Sequence, residues 1–527
     1  MNSISDSLLI SDFINNKDQD DLINEKFNNR KEAFSSEDDY LILKENVMRN
    51  ELNNLKNKKE RICEKKRIQM NINLEQNEPL KSKLTISLDL YEACNNMQIQ
   101  LSNFNEIINA FKSDDIKEKY KGLVGIRKLT LLNNPPLQEL YDMNIIPDLI
   151  SILDCKLPEF HYESLWCLTN ISKNFKELSK IIKEKGGISK IVNFLESTIE
   201  QIKLQTIWLI GNLAISGKIV RSILIKEKAL DKLIIILSFS NRTHIIKQAT
   251  WALSNFLMFS NYPSFDIAKN CLKAIARVMN IIPKDMDFLS DSSFILSSIS
   301  NHYKESIKEL FELDLIPKII NSLEIDTNNI QINYLRIIGN IACGNANQTQ
   351  KLLDLGVLAY LKKIIFSKYK YIRKEAAWII SNIAAGTQKQ IESLIREDIL
   401  IILKQVLIND EYAIKRESIW AICNLTSIEN PIYMKKILDQ GILKIICECL
   451  KLNDAKLLAI CLEALGNLLV FGEKFSQNPA GENPIVYEIE KMGMFDILEK
   501  LQLHQSEIVY EKTLKILEKY FDIQNAY

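Results

Sequence analysis

The five tryptophans of this chain recur at a nearly constant spacing. They are Trp166, Trp208, Trp251, Trp378 and Trp420, separated by 42, 43, 127 and 42 residues, and 127 is three further steps of the same length. Each is followed four residues later by an asparagine, at Asn170, Asn212, Asn255, Asn382 and Asn424. A fixed period of this size leaves few folds open to the chain, because it is typical of solenoids and other repeat arrays.

The same spacing continues through positions without tryptophan. It reaches Phe294, Arg336 and Glu463, where Ser298, Asn340 and Asn467 take the place of the asparagine. We call each tryptophan position, together with the position four residues later, a rung, and number the rungs from the first at Trp166 to the eighth at Glu463. Residues four apart on a helix lie on one face, so the two members of a rung project together.

A second pattern keeps the same period and marks the start of a shorter helix. A turn residue precedes an apolar helical stretch at Asn144, Gly186, Lys228, Cys271, Asp314, Gly356, Asp398, Gly441 and Gly493. The last step is 52 residues and contains a polar insertion, residues 472–484. Glycine and proline number only 15 and 11, which argues against all-β folds and against Rossmann or P-loop enzymes. An all-helical period of about 42 residues predicts HEAT or armadillo repeats.

Charge divides the chain into segments. The chain holds 67 basic and 67 acidic residues, so its net charge favours neither nucleic acid nor membrane as a partner. Residues 1–43 hold ten acids and four bases, whereas residues 44–67 hold nine bases and four acids. We therefore expect a charged segment over residues 1–70, a linker with a first helix over 71–104, the repeat array over 105–522 and a short tail over 523–527.

Stacked repeats turn the rungs into a ladder of indoles alternating with carboxamides. An asparagine side chain both donates and accepts hydrogen bonds, which suits the backbone of an extended peptide. The slots between indoles accept the stems of lysine or arginine, whose charged ends gain cation–π attraction. A tryptophan at helical spacing is more commonly a core residue, but a core tryptophan needs no asparagine four residues later. The ladder therefore predicts binding of an extended, lysine-rich segment in a concave groove.

No pattern in the chain indicates catalysis or a bound cofactor. We find no glycine-rich phosphate loop, nucleophile elbow or cluster of metal ligands, and the four histidines are widely spaced. The ten cysteines form no CxxC pair, and there is no signal-peptide start and no uninterrupted apolar run of 18 residues. These features indicate reduced thiols in the cytosol or nucleus. We therefore expect no enzyme activity, no cofactor, no metal, no direct nucleic-acid binding and no membrane association.

Several stretches resemble the importin alpha (karyopherin alpha) family, whose members are armadillo adaptors for nuclear localisation signals. The most specific are EAAWIISNIAAG (375–386), RESIWAICNLTS (416–427) and LRIIGNIACG (335–344), and residues 125–147 and 489–521 also fit. The resemblance covers nearly the whole chain. It implies an all-α, right-handed superhelical solenoid of about ten armadillo repeats, preceded by an importin-beta-binding segment within residues 1–70.

The resemblance also implies two peptide-binding sites and an internal mimic of the cargo signal. A major site is expected at Trp166, Asn170, Ser179, Gln205, Trp208, Asn212, Trp251, Asn255 and Asp291. A minor site is expected at Arg336, Asn340, Thr349, Glu375, Trp378, Asn382, Glu417, Trp420 and Asn424. The mimic binds importin beta and otherwise occupies the groove, and it is expected at Lys56, Lys58, Lys59, Lys65, Lys66 and Arg67.

Three departures from the family pattern affect the expected strength of binding. Ser216 stands where the family has the aspartate that pairs with the key lysine of the signal, and Asn174 stands where a small glycine is expected. Residues 44–47 stand where the family carries four arginines. The minor site keeps nearly all of its residues, so we expect it to be relatively more important here than in typical members.

The ladder predicts binding of basic signals, and the resemblance implies a nuclear import adaptor that links such signals of cargo proteins to importin beta and shuttles between cytoplasm and nucleus. The resemblance further implies a recycling exportin with Ran-GTP as a partner, and nucleoporins as candidate partners. A general armadillo scaffold without a transport role is the alternative. That alternative accounts for the repeats but leaves the basic clusters and residues 489–521 unexplained.

Overall fold

A computed structural model describes residues 87–175, 177–258, 262–475 and 483–521. Within these ranges every regular element is a helix and no strand is present. The described chain is therefore all-α, as the spacing of the tryptophans and the shortage of glycine and proline predicted. The acidic stretch, the predicted mimic at residues 56–67 and the tail at 523–527 lie outside the described residues.

The described chain divides into two compact units at the boundary between Leu315 and Ile316. The helices of the first unit are α1 (Leu88–Asn96), α2 (Phe104–Phe111), α3 (Ile116–Leu129), α4 (Leu137–Asp142), α5 (Ile145–Ile152), α6 (Pro158–Asn174), α7 (Leu178–Glu184), α8 (Gly187–Asn193), α9 (Glu200–Ser216), α10 (Lys218–Lys226), α11 (Ala229–Phe239), α12 (Thr243–Phe256), α13 (Phe265–Ile281), α14 (Met286–His302) and α15 (Ser306–Glu312).

The helices of the second unit, the first of which starts at the boundary, are α16 (Leu315–Asn321), α17 (Asn328–Ala342), α18 (Ala346–Asp354), α19 (Val357–Ile364), α20 (Lys370–Ala384), α21 (Gln388–Arg396), α22 (Ile399–Asn409), α23 (Tyr412–Leu425), α24 (Pro431–Asp439), α25 (Ile442–Cys449), α26 (Ala455–Phe475), α27 (Pro484–Lys491), α28 (Phe495–Leu501) and α29 (Glu507–Tyr520). Short 3-10 turns lie at Leu101–Asn103, Phe194–Glu196 and Ser322–Glu324.

Two short helices followed by a long one form the recurring element. The set α7, α8 and α9 is an example, and the long helix of each set carries the rung. In the first unit α6, α9, α12 and α14 pack in succession, and in the second unit α17, α20, α23 and α26 do the same. The 42-residue spacing therefore corresponds to the distance along the chain from one long helix to the next, as expected for armadillo repeats.

The turns before the second short helices lie in the left-handed region of the backbone. Positive φ angles occur at Asn144, Gly186, Lys228, Asp314, Gly356, Asp398, Gly441 and Gly493. All eight positions were predicted as turns from the second periodic pattern. Glycine adopts this conformation without steric cost, and asparagine and aspartate tolerate it. Lys228 is the exception, because a lysine lacks the short polar side chain with which asparagine and aspartate form local hydrogen bonds in this conformation.

The ninth predicted turn, at Cys271, is wrong. α13 runs from Phe265 to Ile281 without a break, so Cys271 lies inside a helix and is buried. The sequence from Phe265 onward contains no glycine, proline or aspartate at the position where the other repeats turn. The two short helices of this repeat are therefore joined into one, because nothing in the chain interrupts helix propagation there.

The apolar residues of α9 show why each repeat needs its neighbours. Ile207, Leu209 and Ile210 point in different directions around the helix, and none has exposed surface. A helix that is apolar all round must be covered on several sides, and α6 and α12 cover it here. Full burial of such a side chain contributes about 1.5–3 kcal/mol, so the adjacent repeats supply much of the stability of this one.

α26 is the longest helix of the described chain. Its 21 residues are apolar enough to cross a bilayer by length and composition alone. Half of that apolar stretch is buried within the structure, where α26 packs against α23, α25 and α29. Its buried apolar residues therefore belong to the protein core. The helix also includes residues 472–475, so the first part of the polar insertion is helical.

Candidate functional site

Three long helices of the first unit carry the tryptophans predicted for the major site. Trp166 projects from α6, Trp208 from α9 and Trp251 from α12, and these helices pack one against the next. The three side chains are largely buried, with 7%, 3% and 4% of the residue surface exposed. The rungs are neighbours as predicted, but most of each tryptophan is covered by protein, so these residues also serve the core.

The asparagines of the ladder tie neighbouring repeats together. Asn212 Nδ2 donates to Ser172 Oγ at 2.9 Å, and Asn255 Nδ2 donates to the carbonyl of Gly211 at 3.1 Å. Similar bonds join Asn170 to Thr130, Asn424 to Ser381 and Asn467 to Thr426. The sequence argument assigned these amides to a ligand and missed this role. The period could have indicated this role, because each hydrogen-bond acceptor lies about one repeat before its asparagine in the sequence.

Gln205 and Asp291 supply polar groups beside the second and third rungs. Gln205 precedes Trp208 by three residues on α9 and is nearly fully buried, and its Nε2 has no hydrogen-bond partner among the described residues. Asp291 on α14 accepts a hydrogen bond from Ser254 Oγ on α12 at 3.3 Å. Ser179 lies half-buried on α7. A buried amide donor and a carboxylate are thus present beside the second and third rungs.

The first rung holds an internal cation that the sequence argument did not find. The Cζ atom of Arg127, on α3, lies 4.3 Å from the centroid of the Trp166 ring, and Arg127 also forms an ion pair with Glu163. All three side chains are buried. Burial raises the pKa of Glu163, while the charge of Arg127 acts to lower it. Glu163 lies three residues before Trp166, and an acid at that position was the sequence feature that could have indicated a paired cation.

The second unit places an acid beside an indole at two successive rungs. Glu375 and Trp378 lie three residues apart on α20, and Glu417 and Trp420 lie three residues apart on α23. Residues three apart share a helix face, and the two helices pack against each other. Trp378 is half-buried and Trp420 is 9% exposed. The residues predicted for the minor site at these two rungs therefore lie on two helices that pack against each other.

The other predicted minor-site residues differ in their exposure. Arg336 and Asn340 are half-buried on α17, which packs against α20. Thr349 on α18 is buried, and its Oγ1 donates to the carbonyl of Ala342 at 3.4 Å. Asn382 is buried as well, and its Nδ2 has no hydrogen-bond partner in the part of the chain that the structure describes. Thr349 is thus tied to the protein, whereas the amide donor of Asn382 is unbonded among the described residues.

Comparisons with known proteins agree with this architecture. The family described as "Armadillo/beta-catenin-like repeat" matches residues 345–385, and that described as "Atypical Arm repeat" matches residues 483–526. A crystal structure of an engineered protein shares the fold, with a TM-score of 0.63 and 19% identity, and the match covers 79% of this chain and 98% of that one.

Curated relatives identify the family. Importin subunit alpha-1b of Oryza sativa subsp. japonica is 32% identical, and the match covers 81% of this chain and 80% of the relative. The chain belongs to the importin alpha family. Importin subunits alpha-3 and alpha-2 of Arabidopsis thaliana are 32% and 33% identical, with 84% and 81% of this chain covered and 86% and 81% of the relatives. As an importin alpha, the chain is in its general role a nuclear import adaptor and not an enzyme.

Two of the departures from the importin alpha pattern lie within the described ranges. Ser216 ends α9 and is exposed, and its Oγ donates to the carbonyl of Leu213 at 2.8 Å. It therefore supplies no negative charge at the second rung. The backbone of Asn174 closes α6. The segment at residues 44–47 lies outside the described residues.

The cysteines and histidines form no metal centre in the described ranges, where no group of three or more possible ligands comes together. The nine cysteines in those ranges are free thiols. The thiols of Cys423 and Cys461 lie 3.7 Å apart, without a bond between them.

Proposed function

We propose that this importin alpha holds the basic localisation signal of cargo proteins in an extended conformation along its rungs. The major site lies on the first three rungs and the minor site on the fifth to seventh rungs. The observation that carries the proposal is the recurrence of an indole, a carboxamide and a polar or acidic residue on successive long helices. A ligand that fits this repetition is itself repetitive, with cationic side chains along an extended backbone.

The polar groups of the first unit support a peptide ligand at the major site. The unpartnered Nε2 of Gln205 is a buried donor, and such a group costs about 1–3 kcal/mol unless it finds an acceptor. A carbonyl of a bound peptide is such an acceptor. Asp291 supplies a negative charge near the third rung, where Ser254 already donates to it. A lysine entering beside Trp251 would therefore meet both an indole and a carboxylate.

The acids of the second unit support a cationic ligand at the minor site. Glu375 and Glu417 each lie one helical turn before an indole, at Trp378 and Trp420. A lysine or arginine packed against either indole can reach the carboxylate on the same face. Ser216 removes the corresponding charge from the major site. We therefore propose that the minor site contributes a larger share of signal binding here than in other members of the family.

We further propose the partners and the cycle that the family resemblance implies. Residues 1–70 bind importin beta, and the basic residues at 56–67 compete with cargo for the ladder when importin beta is absent. A recycling exportin with Ran-GTP returns the adaptor to the cytoplasm, and nucleoporins are candidate contacts. The protein thereby shuttles through the nuclear pore. The support for these steps is membership in the family together with the basic clusters of the sequence.

Peptide titration tests the proposal. The full chain and a variant lacking residues 1–78 are titrated with a fluorescent lysine-rich signal peptide, and importin beta binding is measured for both. We expect the deletion to abolish importin beta binding and to raise the affinity for the peptide. If neither quantity changes, the chain is better described as a general armadillo scaffold.

The balance between the two sites is tested with tryptophan variants. We expect Trp378→Ala and Trp420→Ala to weaken peptide binding at least as much as Trp208→Ala does. Melting temperatures of all three variants serve as the control, because each tryptophan is also part of the core. If Trp208→Ala abolishes binding while Trp378→Ala and Trp420→Ala leave it intact, the proposed weight of the minor site is wrong.

A further inference from the structure

Gly211 lies against the indole of the third rung. It follows Trp208 by three residues on α9 and faces Trp251 on α12. A Cβ atom at this position would lie 2.3 Å from Cζ3, 2.8 Å from Cη2 and 3.0 Å from Cε3 of Trp251. Carbon atoms that are not bonded pack at about 3.5–4.0 Å. The ring of Trp251 therefore occupies the space that any other residue at position 211 would need.

The same glycine also fixes the second member of that rung. The carbonyl of Gly211 accepts the hydrogen bond from Asn255 Nδ2 at 3.1 Å, and Asn255 has no exposed surface. One residue of the preceding repeat thus sets the depth of the indole through its missing side chain and the direction of the carboxamide through its carbonyl.

The relation recurs in the second unit. Gly339 follows Arg336 by three residues on α17, and a Cβ atom there would lie 2.3 Å from Cζ3 and 3.1 Å from Cε3 of Trp378. Trp208 and Trp420 are different, because their preceding long helices carry Thr169 and Ser381 at the corresponding position. Glycine at this position therefore accompanies the indoles of Trp251 and Trp378 and is not required in every repeat.

The eighth rung provides an internal comparison. Gly466 follows Glu463 by three residues on α26, and a Cβ atom there would have no atom within 4 Å. At this repeat position, Gly211 and Gly339 thus have an indole packed against them, whereas Gly466 has open space.

We propose that Gly211 and Gly339 are positioning residues for peptide binding, which act by letting the indoles of Trp251 and Trp378 sit against the preceding long helix. A methyl group at either position moves the ring away from that helix by at least roughly 1 Å. The slot for a cationic side chain beside the ring changes shape accordingly. This inference rests on the proposed function, because it concerns how the same ladder receives the basic segment.

The test compares three glycine variants of the full chain. Gly211→Ala, Gly339→Ala and Gly466→Ala are titrated with the fluorescent lysine-rich peptide, and tryptophan emission and melting temperature are recorded for each. We expect Gly211→Ala and Gly339→Ala to weaken binding by about tenfold, the range that a cation–π contact spans, and to shift the emission. Gly466→Ala should leave the dissociation constant within about twofold of the wild type, since its methyl group meets no neighbour.

A double-mutant cycle separates positioning from a general loss of stability. In the Trp251→Ala background the ring that would meet the methyl group of Gly211→Ala is absent, and we expect the added methyl group to change the dissociation constant by less than about twofold. Gly466→Ala in the same background is the matched control. If Gly211→Ala alone fails to fold, the cycle has no value for that corner, and Gly339→Ala compared with Gly466→Ala then decides the proposal.

The outcomes distinguish the two proposals. If the wild-type chain binds the basic peptide but Gly211→Ala and Gly339→Ala bind it as tightly as Gly466→Ala does, the positioning role is wrong and the proposed function stands. If the effects of Gly211→Ala and Trp251→Ala are independent, the positioning role is also wrong. If the wild-type chain binds no basic peptide, the proposed function is wrong and this inference falls with it.

Discussion

The guanidinium of Arg127 lies over the indole of Trp166, with its Cζ atom 4.3 Å from the ring centroid. Glu163 pairs with this guanidinium from the helix that carries the indole. The first rung therefore already holds the combination of cation, indole and carboxylate that we propose for cargo at other rungs. The internal arginine therefore covers one face of the first indole.

Removing this internal cation should be strongly destabilising. In Arg127→Met the carboxylate of Glu163 is left buried without its partner, which typically costs about 3–5 kcal/mol. Urea unfolding of the wild type and the variant measures the loss. Lys180→Met is the matched control, because Lys180 and Glu184 form an exposed pair with side chains 75% and 57% accessible, and such pairs contribute little. Equal losses for the two variants would contradict the assignment.

Acid stability should depend on Arg373 and Asp410 in the second unit. Arg373 binds Asp410 through two hydrogen bonds of 2.7 and 2.9 Å. Burial acts to raise the pKa of Asp410, but the bonds from Arg373 and the N–H of Glu411 outweigh it and hold the pKa below 3.8. A carboxyl with a depressed folded-state pKa stabilises above its unfolded pKa, and that stabilisation is lost as the pH falls through the folded value. The contribution is therefore lost below about pH 4.

Arg373→Met measures this contribution. We expect a loss of about 1–3 kcal/mol at pH 7, and a shallower decline of stability than in the wild type as the pH falls below about 4. Chemical denaturation at several pH values provides both quantities. Lys370→Met removes the neighbouring pair with Glu411, whose side chains are 67% and 58% exposed, and it should change neither. A parallel decline in the wild type and Arg373→Met would argue against the depressed pKa.

The left-handed turn at Lys228 should tolerate glycine better than lysine. Lys228 has a φ of 62°, and this conformation costs a residue with a Cβ about 1–2 kcal/mol. Glycine loses about 0.5–1 kcal/mol in chain entropy, so Lys228→Gly should gain up to about 1.5 kcal/mol net. Thermal unfolding detects this change.

The reverse substitution at Gly186 is the control. Gly186 has a φ of 65°, and a Cβ there meets no atom within 4 Å, so Gly186→Lys introduces backbone strain without a steric clash. We expect it to lose about as much as Lys228→Gly gains. Changes of the same sign in the two variants would contradict this account of the turns.

Restoring an acid at the second rung should strengthen binding of a basic peptide. Ser216→Asp places a carboxylate where the family carries one, and a charge-assisted hydrogen bond contributes about 1.5–3 kcal/mol. That corresponds to at least tenfold in the dissociation constant. The gain should shrink at high salt, since position 216 is exposed and a charge there is screened. Ser216→Asn introduces a side chain of the same size as aspartate but without charge, and this variant should bind the basic peptide as the wild type does.

Periodicity alone predicted much of the fold. The spacing of Trp166, Trp208 and Trp251 indicated one long helix per repeat, and the second pattern located eight of the nine turns. The error at Cys271 arose because a period locates a position but not its conformation. Whether the chain turns there depends on the local competition between helix propagation and a left-handed residue. Asn144 and Gly186 favour the turn, and Cys271 does not.

Periodicity was less informative about the surroundings of each rung. The sequence placed Trp251 and Asn255 on one helix face, and that is correct. It did not show that Asn255 is buried and bonded to Gly211, or that Arg127 covers Trp166. Those partners lie 44 and 39 residues away in the chain, and the sequence offers no local sign of which residues meet across two packed helices.

The helical repeat and the positions of the rungs could be predicted from local conformational preference and from a period, which are properties of the chain read in order. The family followed from resemblance to known proteins and not from the period. Packing set the depth of each indole, the amides that bond to a neighbouring repeat and the indole that holds an internal arginine. Those outcomes depend on packing between long helices, where a difference of one methyl group decides whether two groups fit.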